Sequence, residues 1–188
     1  MPYFSDQIFQ AQDFSLTPLT PGEYETCQFL QCKFSGLNLN GFSFENCSFK
    51  NCDLSNLKVS GVAFRNAKFE GCKMLGIHFH AANPFLLEFS FQSCQLDYSS
   101  FYNLQLKKSK FLNCRMLEVD FTQADLSSAE FQDSDLSGAV FSRTVLEKTD
   151  FRNAQGFRLD PELNRIKGAR FDLDGLPGLL EKYGIKVG

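Results

Sequence analysis

The chain has 188 residues, 22 of them Phe and none Trp, with a formal net charge of −3. That length gives room for one domain. No apolar run of about 18 residues is present, which excludes a membrane-spanning helix, and the charge balance carries no whole-chain polybasic signal for nucleic acid.

The N-terminus, Met1-Pro-Tyr-Phe-Ser-Asp6, lacks a basic stretch followed by an apolar one. No secretory leader is expected, and the cytoplasm is the expected compartment. Residues 1–23 are the least regular and are expected to cap the chain, with Ile8, Phe9 and Phe14 forming an opening strand or a lid. Leu16 to Gly22 reads as a turn-rich connector.

From Tyr24 a period of five sets in. Its large residues are Tyr24, Phe29, Phe34, Leu39, Phe44, Phe49, Leu54, Val59, Phe64, Phe69, Met74 and Phe79. Phe91 lies twelve residues beyond Phe79, where ten would keep step, so two residues are inserted. The expected place is Ala81-Ala-Asn83-Pro84, since proline cannot donate to a strand ladder and Asn-Pro favours a turn. The slip reads either as a tolerated bulge or as a small loop, centred on Asn83 and Pro84, that a partner recognises.

The second register is the more regular: Phe91, Leu96, Phe101, Leu106, Phe111, Met116, Phe121, Leu126, Phe131, Leu136, Phe141, Leu146 and Phe151. Two residues before most of these stands a small one. An α-helix would let a five-residue stripe wander round its surface. A straight strand would send successive repeats to opposite faces. The pattern fits a chain that runs extended briefly, points two side chains inward, turns a corner and repeats, so that stacked coils share one core. A step of twenty keeps Phe91, Phe111, Phe131 and Phe151 in one column and Phe101, Phe121 and Phe141 in the opposite one. Four sides are therefore predicted, over residues 24–155.

Gly156 is expected to end the repeat. Asp160-Pro-Glu-Leu-Asn-Arg-Ile166 reads as a short helix with Asp as N-cap and Pro in its first turn. Ala169-Arg-Phe171 resembles one last repeat. Residues 174–183 read as a helix with Leu176, Leu179, Leu180 and Tyr183 on one face and Gly184 as its stop, followed by a terminal strand from Ile185 to Val187. This apolar stripe, within a C-terminal segment of residues 156–188, serves either as a cap on the open core or as a two-fold contact between copies.

Cys27, Cys32, Cys47, Cys52, Cys72, Cys94 and Cys114 all take the small inward position, where a free thiol acts as a small hydrophobe. No Gly-rich phosphate loop, GxSxG or HExxH occurs, so no enzyme activity, metal or cofactor is expected. His78 and His80 flank Phe79 and should point outward. Charge is uneven: residues 1–117 hold 9 acidic and 10 basic residues, and residues 118–162 hold 10 and 4. Asp120, Asp125, Glu130, Asp135 and Asp150 each precede an inward residue. They read either as a solvated surface or as a surface suited to a basic groove.

Ala124-Asp-Leu-Ser-Ser, Ala129-Glu-Phe-Gln-Asp, Ser134-Asp-Leu-Ser-Gly and Ala139-Val-Phe-Ser-Arg match the A(D/N)LXX consensus, and the chain resembles the pentapeptide-repeat proteins over residues 24–155. That resemblance implies an all-β solenoid, a right-handed quadrilateral β-helix. A narrower similarity runs through Leu106-Lys-Lys-Ser-Lys-Phe-Leu-Asn-Cys114, Asp160 to Ile166 and the Gly184-Ile-Lys-Val-Gly end. It is to the topoisomerase-protecting branch, the Qnr and MfpA proteins and above all the microcin B immunity proteins. It implies a homodimer joined through Leu176, Leu179, Leu180, Tyr183, Ile185 and Val187, and an acidic rod that mimics DNA. It further implies binding to DNA gyrase, and to topoisomerase IV as a second target, with immunity or antibiotic resistance as the outcome. Contact with DNA itself or with a membrane is not implied. The other reading is a repeat scaffold for a different protein partner.

Overall fold

The computed structural model describes residues 1–185. Its backbone is a stack of four-sided coils. Side 1 carries the strands β1 (Tyr3–Ser5), β3 (Glu23–Glu25), β5 (Ser43–Glu45) and β7 (Ala63–Arg65), paired in parallel in that order. Side 2 carries β2 (Ile8–Gln10), β4 (Gln28–Leu30), β6 (Ser48–Lys50), β8 (Ala67–Glu70), β9 (Phe89–Gln92) and β10 (Lys110–Leu112), again all parallel. The ladder thus already runs through the segment expected as an N-terminal cap. Beyond β10 the pairing continues as single parallel bridges on all four sides, ending with Val145 to Arg165 and Asp150 to Arg170.

The period of five has a backbone cause. Two residues after each large inward side chain the chain enters the left-handed region, at Asn46, Asn51, Asn56, Asn66, Asn103, Asn113 and Asn153 among others. Asn tolerates that conformation better than most residues. Such residues turn the corners, and the N–H of most of them donates to the next coil, as Asn113 does to Gln132 O at 2.9 Å.

The core is the expected pair of aromatic columns. On side 2 Phe9, Phe29, Phe49, Phe69, Phe91, Phe111, Phe131, Phe151 and Phe171 stack in turn, the Phe131 and Phe151 centroids 5.1 Å apart and nearly coplanar. On side 4 Phe79, Phe101, Phe121 and Phe141 do the same. The two columns meet edge to face across the axis, an arrangement that aromatic quadrupoles favour. All seven cysteines are buried and unpaired, and their thiols lie against backbone carbonyls, as Cys52 does against Phe29 O at 3.3 Å. His78 and His80 are exposed, as expected.

Three expectations about local structure need correction. The insertion begins only at the last residue of the expected Ala81 to Pro84 segment. Asn83 still pairs with Ala63, whereas Phe89 pairs with Ala67, so the two extra residues lie within 84–88. The Asn83 side chain accepts from the N–H of Phe85 at 2.9 Å and starts the bulge. Asp160 to Ile166 is a turn, not a helix. Buried Asn164 donates to Phe141 O at 3.1 Å and to Asp160 O at 2.9 Å, and Arg165 pairs with Val145; these contacts draw the segment back into the coil before a helix can propagate. The C-terminal helix is shorter than the stripe suggested: α1 spans Pro177–Leu180, followed by a 3₁₀ turn at Glu181–Tyr183 that Gly184 ends at φ 64°.

Candidate functional site

The four carboxylates that precede successive inward residues do not form a patch. Asp120 lies on side 4, Asp125 on side 1, Glu130 on side 2 and Asp135 on side 3, so they ring one coil. A five-residue spacing puts each on a new side, as the four-sided repeat predicts.

Their neighbours also differ. Lys107 Nζ lies 3.3 Å from Asp125 Oδ2, and Ser127 donates to Asp125 Oδ1 through its N–H at 3.0 Å and its hydroxyl at 2.6 Å. Burial opposes the charge of Asp125, but these hydrogen bonds outweigh it and hold the carboxyl below its ordinary value. Lys110 lies 3.4 Å from Glu130. Asp150 is gripped by Arg152, with Arg170 at 3.9 Å, and its carboxyl is likewise held down, chiefly by the Arg152 hydrogen bonds. Three of the five expected contact residues are therefore neutralised by cations of this same chain.

A different set shares a lack of internal counter-ions. Glu118 stands at the corner between sides 3 and 4, Asp120 on side 4, Asp133 at the corner between sides 2 and 3, and Asp135 on side 3. Among the described residues no Lys or Arg lies within ion-pair distance of any of them. Asp120 and Asp135 are half-buried and oriented by local donors: Ser100 Oγ at 3.3 Å and Thr122 N at 2.9 Å for Asp120, Ser137 N at 3.0 Å and Ser137 Oγ at 2.6 Å for Asp135. Glu118 and Asp133 are fully exposed. Sequence reasoning singled out only Asp120 and Asp135. The missed signal was the corner position two residues beyond each inward side chain, which Glu118 and Asp133 occupy at φ 53° and 58°.

Side 3 also carries an acid of a different kind. Asp97 is buried, with Arg115 Nη2 at 2.7 Å and Leu117 N–H at 3.1 Å. Its partners satisfy it internally, so it holds two coils together and presents no charge outward.

At the slip, Asn83 is half-buried and serves as the base of the bulge, with Pro84 beside it. The outermost side chains are Phe85 and Leu86.

The C-terminal stripe divides. Leu179 packs on the core, Leu180 is half-buried, and Leu176, Tyr183 and Ile185 are exposed; Val187 lies outside the described residues. Leu163 and Leu173 add exposed apolar surface that the helical stripe did not include. The helix sits so close to the last coil that a Cβ on Gly178 would lie 2.2 Å from Phe157 O. Lys182 fastens it further, 2.6 Å from Asp160 and 2.7 Å from Glu162, and the Tyr183 hydroxyl donates to Glu162 at 2.8 Å.

Among the described residues no group of three or more His, Cys, Asp or Glu could hold a metal ion, and no helix is long and apolar enough to cross a membrane. Residues 23–101, 42–121 and 86–157 match the family described as pentapeptide repeat region. No curated protein matches the chain significantly. Among solved structures, a trypsin-treated variant of QnrB1, described as a plasmid-mediated fluoroquinolone resistance protein, is similar over 100% of this chain and 100% of that one, at 20% identity and a TM-score of 0.64. A second trypsin-treated QnrB1 variant is similar over 96% of this chain and 98% of that one, at 20% identity and a TM-score of 0.54. At such identity the likeness is one of fold.

Proposed function

The chain belongs to the pentapeptide repeat family, and from that premise we propose that it protects a type II topoisomerase without catalysing a reaction. DNA gyrase is the first target and topoisomerase IV the second. The protein lays its carboxylate ridge where a DNA segment would otherwise lie, and so frees the enzyme from a poison trapped on its cleavage complex. The poison is a quinolone, as the description of QnrB1 suggests, or a microcin-type toxin. The setting is the cytoplasm, and the protein acts as a homodimer joined through the exposed Leu176, Tyr183 and Ile185, without binding DNA itself.

The observation that carries this reading is the ridge of Glu118, Asp120, Asp133 and Asp135, without internal counter-ions, which runs over side 3 and its two edges on a laddered rod. An enzyme that grips DNA must present a groove of positive potential. A stiff body with an uncompensated acidic side is attracted to such a groove at low ordering cost. The test is gyrase supercoiling and cleavage in the presence of a quinolone or a microcin B-type toxin, with the protein and with a Glu118→Lys, Asp120→Lys, Asp133→Lys, Asp135→Lys variant. Relief by the parent and none by the variant supports the reading; no relief by the parent at concentrations well above those of gyrase refutes it.

A second reading has its own observation. The pairing of Asp125, Glu130 and Asp150 with internal cations leaves much of the rod electrically balanced, as in a scaffold that meets another protein through a different surface.

A further inference from the structure

The corner between sides 1 and 2 lies diagonally across the rod from the carboxylate ridge, and its chemistry is the reverse. The bulge projects there, with Phe85 64% and Leu86 63% exposed. One coil later Lys107 and Lys108 turn the same corner. The ladder then carries that corner on to Lys148 and Lys167: Lys108 N donates to Ser127 O at 3.0 Å, Ser128 N to Glu147 O at 2.8 Å and Lys148 N to Lys167 O at 3.0 Å. Of these lysines only Lys107 has a carboxylate within ion-pair distance among the described residues. Glu147, the acid on this edge, is already held by Arg165 at 2.6 Å.

The backbone is open here as well. On side 1 the ladder joins Ala63 to Asn83 and resumes only with Gln105 and Asp125. One coil on, Asp125 N–H reaches Leu104 O at 2.8 Å, whereas the equivalent N–H of Gln105 meets no backbone acceptor among the described residues.

An apolar tip continued by a row of cations along the same corner is suited to docking a protein: the anchor is drawn out of water, and the adjoining charges steer the encounter. Glu88, exposed at the foot of the tip, repels anions there, so the tip takes a partner's apolar residue and the lysines beyond it take the carboxylates. A nucleic-acid strand would find a single aromatic, Phe85, and no row of rings to stack on.

We infer that this corner docks an extended acidic protein segment that carries apolar residues. Its carboxylates meet Lys107, Lys108 and Lys148, an apolar side chain packs on Phe85 and Leu86, and a backbone carbonyl accepts from Gln105 N–H. The site is separate from the carboxylate ridge and does not depend on a topoisomerase being the target of that ridge.

The test is fluorescence anisotropy of the full chain with a short labelled peptide of Glu, Asp and Leu, beside an all-Glu peptide of equal length. Binding is expected for the mixed peptide, weaker for the all-Glu one, and reduced by salt. Phe85→Ser with Leu86→Ser, and separately Lys108→Glu with Lys148→Glu, are expected to weaken it about tenfold. All four positions are exposed, so melting and circular dichroism serve as controls for an intact fold. Failure of both peptides to bind, or equal binding by parent and variants, overturns the inference. So does retention of the protein on phosphatidylserine vesicles or duplex DNA through the same lysines while the peptide stays free.

Discussion

Arg152 closes on Asp150 from two residues along the same turn, its Nη2 2.7 Å from Oδ2 and its Nε 2.9 Å from Oδ1. A bidentate pair of this kind satisfies the carboxylate from within the chain. Asp150 is therefore not expected to contribute to partner binding, although it follows Glu130 on side 2. Asp150→Asn should change topoisomerase protection less than Asp135→Asn, and protection titrations on the two variants compare them directly. Equal losses would show that the internal pair opens on binding.

The C-terminal helix has an inner and an outer face, and the two should fail differently. Leu179 packs on the core, so Leu179→Asp is expected to undock the helix and lower the melting temperature. Leu176 and Tyr183 are exposed, so Leu176→Asp with Tyr183→Ala should yield a folded monomer. Sedimentation equilibrium beside thermal melting separates these outcomes. A parent protein that is monomeric throughout would make the stripe a cap alone.

Acid should release the same helix. Asp160 and Glu162 both lie below their ordinary values of 3.8 and 4.5, first of all through the Lys182 hydrogen bonds. Depressed carboxylates contribute stability that is complete above those ordinary values and is lost as pH falls through the lowered ones. The clamp is thus expected to hold at neutral pH and to loosen below about pH 4. The methyl resonances of Leu179 and Leu180, followed by NMR from pH 6 to pH 2, report it, and Lys182→Met should abolish the transition. An unchanged transition in that variant would place the acid-sensitive contact elsewhere.

The thiols should be silent. Burial pushes Cys47 up to about 12, the Cys94 thiol draws Cys114 down instead, and all seven cysteines are buried, so a reagent has no path to any of them. A disulfide-exchange reagent is expected to titrate none of them in the native protein and all of them in denaturant. Rapid native reaction at any one would mark a locally open coil.

Much of the fold could be read from the sequence because inward residues repeat at five on either side of a single slip, and a stack of coils turns that repeat directly into columns such as Phe111, Phe131 and Phe151. The site was harder to read for the same reason. A repeat of five distributes neighbouring acids round the rod, so Asp120, Asp125, Glu130 and Asp135 fall on successive sides as the spacing implies, but the spacing does not show which of them are neutralised. Counter-ions come from residues twenty positions away, as Lys110 does for Glu130, or from the same corner, as Arg152 does for Asp150. Glu118 and Asp133 escaped notice because they take corner positions, which the inward pattern does not weigh. Asp160 to Ile166 carried good local helix signals, but burial of Asn164 and the pairing of Arg165 with Val145 overrode them.

Displacement of DNA is the most direct measure of the central claim. Gyrase would be held with a fluorescently labelled DNA duplex and titrated with the protein, with anisotropy read at several salt concentrations. The DNA is expected to be released, less readily as salt rises, and the variant reversed at Glu118, Asp120, Asp133 and Asp135 should fail to release it. A complex in which the DNA stays bound while the protein also binds, or release that is equally efficient with the reversed variant, would contradict occupation of the DNA site by this ridge.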